Sequence, residues 1–303
     1  MSSKKCSQFS PLYKISFIQH LGVENHHYDV THLLGLKPYK NGTVDQVIEI
    51  MDKILDRFVY PENFRIQDIM NYKEHYRQDA IVFDYFGAGQ LRPGELRRDR
   101  LIIDYCNIRP GMEILDVGSG RGWFSLAASA LGAKVTALDL SEHNLKRIRE
   151  LDPSIDTVLG DACQIPSGDQ LYDLIVTLEV LEHIPEPALA LNSIKTRLKP
   201  GGKLLITVPY KEVIISSLCI HCNQPTPHNA HLHSFDTPSL KRLLTNCGYS
   251  ILETRLFTHK LMTALRINEL TARLPYAVWI ALDRLFGLHN DKYHYLAIKA
   301  SPK

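Results

Sequence analysis

Cysteine is scarce in this chain: there are six in 303 residues, at positions 6, 106, 163, 219, 222 and 247, and only Cys219 and Cys222 lie close together. Thiols so few and scattered do not make a disulfide scaffold, and a reducing, cytoplasmic setting is expected. No apolar run approaches the roughly 18 residues of a membrane span. The stretch Met1 to Ser10 lacks the apolar core of a signal peptide, so no secretory leader is expected. Neither sign of charge dominates, with 35 Lys plus Arg against 33 Asp plus Glu and a formal net charge of +2. That balance excludes a strongly basic nucleic-acid binder, and no basic stripe or aromatic–basic run points to RNA or DNA. With 17 Gly and 16 Pro, collagen-like and low-complexity classes are excluded too.

What remains is a globular composition, 45% hydrophobic and 22% charged. The length suits one large domain with attachments, or two small ones. Apolar positions at Val44, Val47, Ile48, Met51, Ile54, Leu55 and Phe58 mark one helix face, with Asn41-Gly42-Thr43 before it and Pro61 after it. Further helices are expected over Ile66 to Phe83 and Pro93 to Cys106. From Gly111 onward, short strands alternate with helices. Strands are expected at Glu113 to Val117, Lys134 to Asp139, Asp156 to Leu159, Tyr172 to Thr177, Lys203 to Val208, Tyr249 to Phe257 and Tyr293 to Ala300. Helices are expected at Trp123 to Leu131, Ser141 to Leu151, Pro187 to Leu198 and Pro238 to Cys247. This alternation builds an α/β fold, a parallel sheet covered on both faces. The expected division is a mostly helical N-terminal cap over 1–100 and an α/β domain over 101–303, with a lid loop at 210–235 and a helical insertion at 258–290.

The most informative segment is Ile114-Leu-Asp116-Val-Gly118-Ser119-Gly120-Arg-Gly122-Trp123. A strand runs through a glycine turn into a helix. The glycines permit positive φ and close approach of a ligand to the backbone. The helix N-terminus offers free N–H groups and a partial positive charge. Asp139 ends the next strand 19 residues after Gly120, about where an acidic residue holds ribose hydroxyls. The spacing is G-x-G-x-G, not the G-x-G-x-x-G of dinucleotide folds. Asp116 lies two residues before the first glycine, where a carboxylate repels a pyrophosphate but suits a cationic ligand with an amino group. S-adenosylmethionine, with its carboxylate, amine and sulfonium, fits that description. An ordinary tight strand–helix turn is the plain alternative.

From here the sequence resembles a class I S-adenosylmethionine-dependent methyltransferase of the small-molecule type. The resemblance covers about Ile114 to Tyr249. It rests on Glu113-Ile-Leu-Asp-Val-Gly-Ser-Gly-Arg-Gly, Val135-Thr-Ala-Leu-Asp139-Leu-Ser, Gly160-Asp161-Ala162, Tyr172-Asp-Leu-Ile-Val-Thr-Leu-Glu179-Val-Leu-Glu-His183 and Leu198-Lys-Pro-Gly-Gly-Lys-Leu-Leu-Ile-Thr-Val-Pro209, in the family's order. It implies a Rossmann-like, seven-stranded, mostly parallel sheet whose last strand is antiparallel. It also implies that Gly118, Ser119 and Gly120 line the methionine end of the cofactor, and that Asp116 positions its amino group. Asp139 would then bind the ribose hydroxyls, Leu140 pack on the adenine, and Asp161 accept from the adenine amine beside Ala162. Glu179 would stand at the mouth of the methyl-transfer site. For Asp139 and Asp161 the plain alternative is a solvated turn residue.

Methyl transfer from a sulfonium is an in-line displacement, so the protein mainly aligns the nucleophile and excludes water. A hydroxyl acceptor needs a base, for which His183, or one of His231 and His233, is the candidate. In this family the histidine after the fourth strand often has a structural role instead. The segment Cys219-Ile-His-Cys222-Asn-Gln-Pro-Thr-Pro-His228-Asn-Ala-His231 also carries enough ligands for a tetrahedral zinc site from Cys219, Cys222, His228 and His231. Its other reading is reduced thiols beside a substrate-side wall.

The acceptor is expected to meet the N-terminal hundred residues, the loop 210–235 and the insertion 258–290. The insertion holds an apolar stretch, Leu274 to Leu288, suited to packing, a greasy acceptor, a dimer contact or a membrane surface. A small, apolar acceptor follows, such as an aromatic, quinone-like or lipid compound, with Tyr85 and Phe86 at the cofactor entrance. O-, C- and N-methylation are not distinguished. Two alternatives stand beside this: a nicotinamide-dependent oxidoreductase, and a non-catalytic binding protein that keeps the fold.

Overall fold

The computed structural model describes residues 71–83, 86, 92–166, 168–220, 223–288 and 291–303. The expected helix at Val44 to Phe58, the start of the helix expected from Ile66, and Tyr85 lie outside the described residues. The first described helix, α1 (Tyr72–Val82), is capped by the Asn71 side chain, which accepts from the Glu74 N–H. Next comes α2 (Pro93–Cys106), with proline at its first position and the Glu95 carboxylate accepting from Arg92 N at 2.8 Å.

The alternating region reads β1 (Glu113–Val117), α3 (Trp123–Ala130), β2 (Lys134–Asp139), α4 (Glu142–Leu151), β3 (Asp156–Leu159), β4 (Tyr172–Leu178), α5 (Pro187–Lys195) and β5 (Leu198–Pro209). A small hairpin, β6 (Ser216–Leu218) and β7 (Pro225–Pro227), follows. Then come α6 (Thr237–Asn246), β8 (Tyr249–His259), α7 (Lys260–Ala264), α8 (Ile267–Leu270), α9 (Tyr276–Gly287) and β9 (Tyr293–Pro302). Seven strands form one sheet in the order β3-β2-β1-β4-β5-β9-β8. The last strand, β9, runs antiparallel to both β5 and β8, and the other pairings are parallel.

Both faces are covered, which is why the strands read as near-continuous apolar runs. Leu115, Val117 and Ile206 pack toward α5 and α6 through Leu191, Ile194, Leu240 and Leu244. Ile114, Val135 and Val176 pack toward Leu101 and Ile102 of α2, Phe124 of α3, Ile148 of α4 and Trp279 of α9. Each such fully buried aliphatic chain is worth about 1.5–3 kcal/mol. The cap boundary expected at residue 100 falls inside α2, whose Leu101, Ile102 and Tyr105 belong to the sheet's own core.

One local outcome differs from expectation: the helix expected to reach Leu198 stops at Lys195, and β5 starts at Leu198 and not at Lys203. The turn Lys199-Pro200-Gly201-Gly202 is drawn into β5, because the pairing jumps from Tyr172 opposite Leu198 to Leu174 opposite Lys203. Gly202 is tolerated there because a side chain would meet the carbonyls of Lys199 and Tyr172 at 2.9 Å. The apolar insertion forms three short helices, anchored by the buried Trp279, whose indole N–H donates to Asn268 Oδ1 at 2.7 Å. Leu270, Leu285 and Leu288 stay exposed.

Candidate active site

Three parallel strands end side by side: Val117 of β1 stands opposite Leu138 of β2, and Asp139 of β2 opposite Leu159 of β3. Ligands of open α/β sheets sit beyond such carboxyl ends. From Val117 the chain turns into α3 through glycines. Gly118 has φ +74°, and a Cβ there would stand 2.6 Å from Val180, so only glycine fits. Gly120 also has positive φ, but a Cβ there would meet nothing within 4 Å. The loop is pinned to β2, with the Gly118 and Ser119 N–H groups donating to Leu138 O at 2.8 and 3.0 Å. Ser119 Oγ is buried with no partner.

Three carboxylates stand at or near these strand ends. Asp139 is buried and accepts from Gly120 N and from Ser141 N, each at 2.8 Å. Burial raises its pKa against those amide bonds. Asp116 lies within β1, buried, and accepts from Ser125 Oγ at 2.7 Å. Burial pushes its pKa up to about 7. Asp161, after β3, accepts from Tyr72 Oη at 2.6 Å, pairs with Lys73 Nζ at 2.6 Å, and accepts from Cys163 N at 3.0 Å. Burial raises Asp161, but the Lys73 and Tyr72 hydrogen bonds outweigh it and hold the carboxyl below its usual range. Ala162 beside it is buried, and the Leu140 carbonyl accepts from Arg77 Nε at 3.4 Å.

Beyond β4 lies a second group. Glu179 adopts φ +57°, uncommon for a residue with a Cβ, and its Oε1 is buried without a partner. Burial raises its pKa to about 7. A single 3₁₀ turn, Leu181–His183, follows. Both carboxylate oxygens of Glu182 are buried and unpartnered, and burial with the nearby Glu179 charge puts its pKa well above the ordinary value. The Glu182 carbonyl accepts from Leu232 N at 2.7 Å and His233 N at 3.2 Å, which clamps the end of the 210–235 loop onto this turn. The ends of that loop are joined by Lys211 N donating to Phe235 O at 2.8 Å.

The candidate histidines separate here. His183 and His231 come together, with ring centroids 4.6 Å apart. His183 Nδ1 lies 2.6 Å from Tyr76 Oη and 3.3 Å from Ala230 O, and burial lowers its pKa to about 3. His231 Nδ1 meets the Glu212 carboxylate. His233 points its Nε2 at the Ile184 and Pro185 carbonyls, 2.9 and 3.2 Å away, and so ties down the turn. The four residues expected to hold zinc are divided. His228 bonds Ser217, His231 faces His183 and Glu212, Cys219 holds a turn through its backbone bonds with Gln224 and Asn223, and Cys222 lies outside the described residues. Among the described residues, the side chains gathered closely enough to hold a metal ion are Glu182, His183 and His231.

The sequence reading placed a helix over Ile66 to Phe83 but did not assign α1 to the site. Tyr72 and Lys73 reach Asp161, Tyr76 reaches His183, and Arg77 reaches Leu140, so one helix lies across the carboxyl ends of β2 to β4. The signal was the four-residue spacing of Tyr72 with Tyr76 and of Lys73 with Arg77, which places each pair on one helix face. A separate cavity of about 480 Å³, lined by Leu101, Arg255, Leu256, Ile280 and Asp283, lies against β8, at the sheet edge opposite β3.

Known proteins share this arrangement. The family model described as a methyltransferase domain matches residues 92–254, more than half the chain. The demethylmenaquinone methyltransferase of Renibacterium salmoninarum is 37% identical over 126 residues, 42% of this chain and 52% of that protein. The ubiquinone biosynthesis O-methyltransferase of Xanthomonas campestris pv. campestris is 34% identical over 116 residues, 35% of this chain and 47% of that protein. The chain thus spans about half the length of the curated relatives it matches. Among solved structures, the CcbJ methyltransferase of Streptomyces caelestis superposes with a TM-score of 0.54 at 14% identity, covering 77% of this chain and 99% of that one. Magnesium protoporphyrin IX methyltransferase from Synechocystis PCC 6803 gives a TM-score of 0.50 at 14% identity, covering 80% and 100%. The strand order, the glycine turn between β1 and α3, and the matched family model agree, and the chain belongs to the methyltransferase domain family.

Proposed function

We propose that this chain transfers a methyl group from S-adenosylmethionine to a small, apolar acceptor. The observation that carries this reading is the glycine loop at the end of β1 with Asp116 leading into it and Asp139 bonded to it, and a third carboxylate, Asp161, just beyond β3. The chain's residues fit the cofactor. Asp139 sets a buried carboxylate at the end of β2, Gly120 opens onto space, and the buried Ser119 hydroxyl lacks a partner. When bound, the cofactor supplies a methyl group on a good sulfonium leaving group. Asp116 holds the amino group, Gly118 to Gly120 bring backbone close to the methionine end, Leu140 and Ala162 flank the adenine, and Asp161 faces its amine. Glu179 borders the methyl-transfer site.

The protein's task is alignment and exclusion of water. Helix α1 closes the cleft from above, and the 210–235 loop closes it from the side. His183 is neutral at physiological pH, and with burial lowering its pKa to about 3 it is a weak base; His233 is committed to backbone carbonyls. The apolar acceptor is supported by relatives whose names concern menaquinone and ubiquinone. Among the described residues no helix is long and apolar enough to cross a membrane. Calorimetry with S-adenosylmethionine and with NAD tests the cofactor. Binding of NAD alone would return the oxidoreductase reading. Incubation of metabolite extract with methyl-labelled cofactor tests transfer, and label found only on polar acceptors such as free sugars would overturn the acceptor class.

A further inference from the structure

We propose that Glu182, His183 and His231 form a binding site for a divalent transition-metal cation at the carboxyl end of β4. Each of the three offers one ligand atom, and those atoms lie within 4.8 Å of one another. Glu182 is 1% exposed, and neither carboxylate oxygen has a partner. A buried carboxylate without a partner costs several kcal/mol. A cation among these three side chains removes that cost.

The groups that hold the two imidazoles from behind favour the same reading. The Ala230 carbonyl can only accept, so the tautomer that satisfies it carries its N–H at Nδ1 and leaves Nε2 with a lone pair. Tyr76 Oη holds the same nitrogen at 2.6 Å. His231 presents Nδ1 to the Glu212 carboxylate, which leaves its Nε2 free as well. Metal-bound histidines are held this way, by a carboxylate or carbonyl on the far nitrogen. Glu182 Oε1 stands 3.9 Å from His183 Nε2, so the free ring nitrogen and the orphaned oxygen face a common point. Glu182 N-terminal to His183 and the carbonyl clamp on Leu232 and His233 fix the two halves of the site in register.

Two imidazoles and one carboxylate suit zinc, iron, manganese or cobalt, whereas calcium and magnesium favour all-oxygen sites. Three protein ligands leave a position open, as in sites that handle substrate. Glu179, with its own unpartnered oxygen, borders that position. An acceptor oxygen bound there would stand beside the proposed methyl donor. The metal site itself does not rest on the methyl-transfer reading.

The test uses the full chain, dialysed against chelator. It is titrated with Co²⁺, read by visible d–d absorption, and with Zn²⁺, read by calorimetry. One equivalent of Co²⁺ should give a d–d band that Zn²⁺ abolishes. Glu182→Gln and His231→Ala should each weaken binding by about 10- to 100-fold, and Glu212→Gln, which leaves the ligands in place, by about tenfold. Cys219→Ser and His228→Ala should leave affinity unchanged. Failure of wild-type protein to bind either ion, unchanged affinity in His231→Ala, or affinity lost with Cys219→Ser overturns the proposal. If Glu182→Gln does not fold, His231→Ala and Glu212→Gln carry the comparison. S-adenosylmethionine calorimetry on the same wild-type sample separates failure of this site from failure of the cofactor reading.

Discussion

Tyr76 Oη lies 2.6 Å from His183 Nδ1, joining a helix before the sheet to the turn that follows its fourth strand. The same helix bonds Asp161 through Tyr72 and Lys73, so α1 is held at two points above the strand ends. Asp161→Ala should therefore do two things together: weaken S-adenosylmethionine binding by about tenfold, as loss of one charged hydrogen bond does, and release α1. Lys73→Ala should release α1 without removing the acceptor for adenine. Limited proteolysis within 72–82, alongside calorimetry, reads both. Equal cofactor loss in the two variants would mean that Asp161 acts only through the helix.

The glycine turn gives a paired prediction. Gly118→Ala meets Val180 at 2.6 Å in a left-handed backbone and should cost about 2–4 kcal/mol, visible as a lower Tm. Gly120→Ala shares the positive φ but meets nothing, so its thermal penalty should be about 1 kcal/mol. Its main effect should be on cofactor affinity, because the new methyl projects into the space reserved for the ligand. Equal thermal losses in the two variants would remove Gly120 from the binding surface.

Asp139→Ala removes the acceptor for two backbone N–H groups and, on the proposed reading, for two ribose hydroxyls. Cofactor affinity should fall by roughly 100-fold, about 3 kcal/mol. Asp139→Asn keeps one acceptor oxygen and should recover part of it. Calorimetry showing less than about a threefold change in Asp139→Ala would dissociate this residue from the sugar.

How much of this was readable beforehand follows from burial. Strands β1 and β2 have the bounds their apolar runs suggest, because a strand covered on both faces leaves its mark in nearly every residue. Asp116, Gly118, Gly120 and Asp139 were readable because strand, turn and helix are local in sequence. The bulge at Lys199 to Gly202 was not, since it arises from pairing with Tyr172 on another strand. Nor was the meeting of His231 with Glu212 and His183, which depends on how a loop of two dozen residues closes; the short pattern Cys219 to His231 pointed to a zinc cluster that the fold does not assemble from its described members. Helix α1 carries Tyr, Lys, His and Arg rather than an apolar stripe, so its burying face was hidden by polar tips on amphipathic side chains.

On the proposed reading, Asp116 should make cofactor binding pH-dependent. Its folded carboxyl is raised by burial to about 7, against about 3.9 in the unfolded chain. The stability it contributes is present below the unfolded value and lost as pH rises toward 7, so Asp116→Asn without ligand should be the more stable protein above pH 7. An ammonium group brought beside Asp116 restores the carboxylate. Binding of S-adenosylmethionine near pH 7 should then release roughly half a proton. Calorimetry in two buffers of different ionisation heat measures it, and heats that agree between buffers would show that no amino group meets Asp116.

Acid stability should depend on Asp173, which accepts from Glu113 N at 2.9 Å and pairs with Lys199 Nζ at 3.0 Å, linking the starts of β1, β4 and β5. The backbone hydrogen bond from Glu113, helped by Lys199, holds its pKa below the ordinary carboxylate value. A depressed carboxyl stabilises the fold above its unfolded pKa of about 3.9, and that contribution disappears as pH falls through the folded value. Asp173→Asn should accordingly lower stability by about 0.5 kcal/mol at pH 7, the worth of a half-exposed pair. The gap between variant and wild type should close below about pH 3. Urea unfolding at pH 7, 5 and 3 tests this: a gap that stays constant across the series would mean that the charge of Asp173 does not contribute, and that the variant acts only through the hydrogen bond from Glu113.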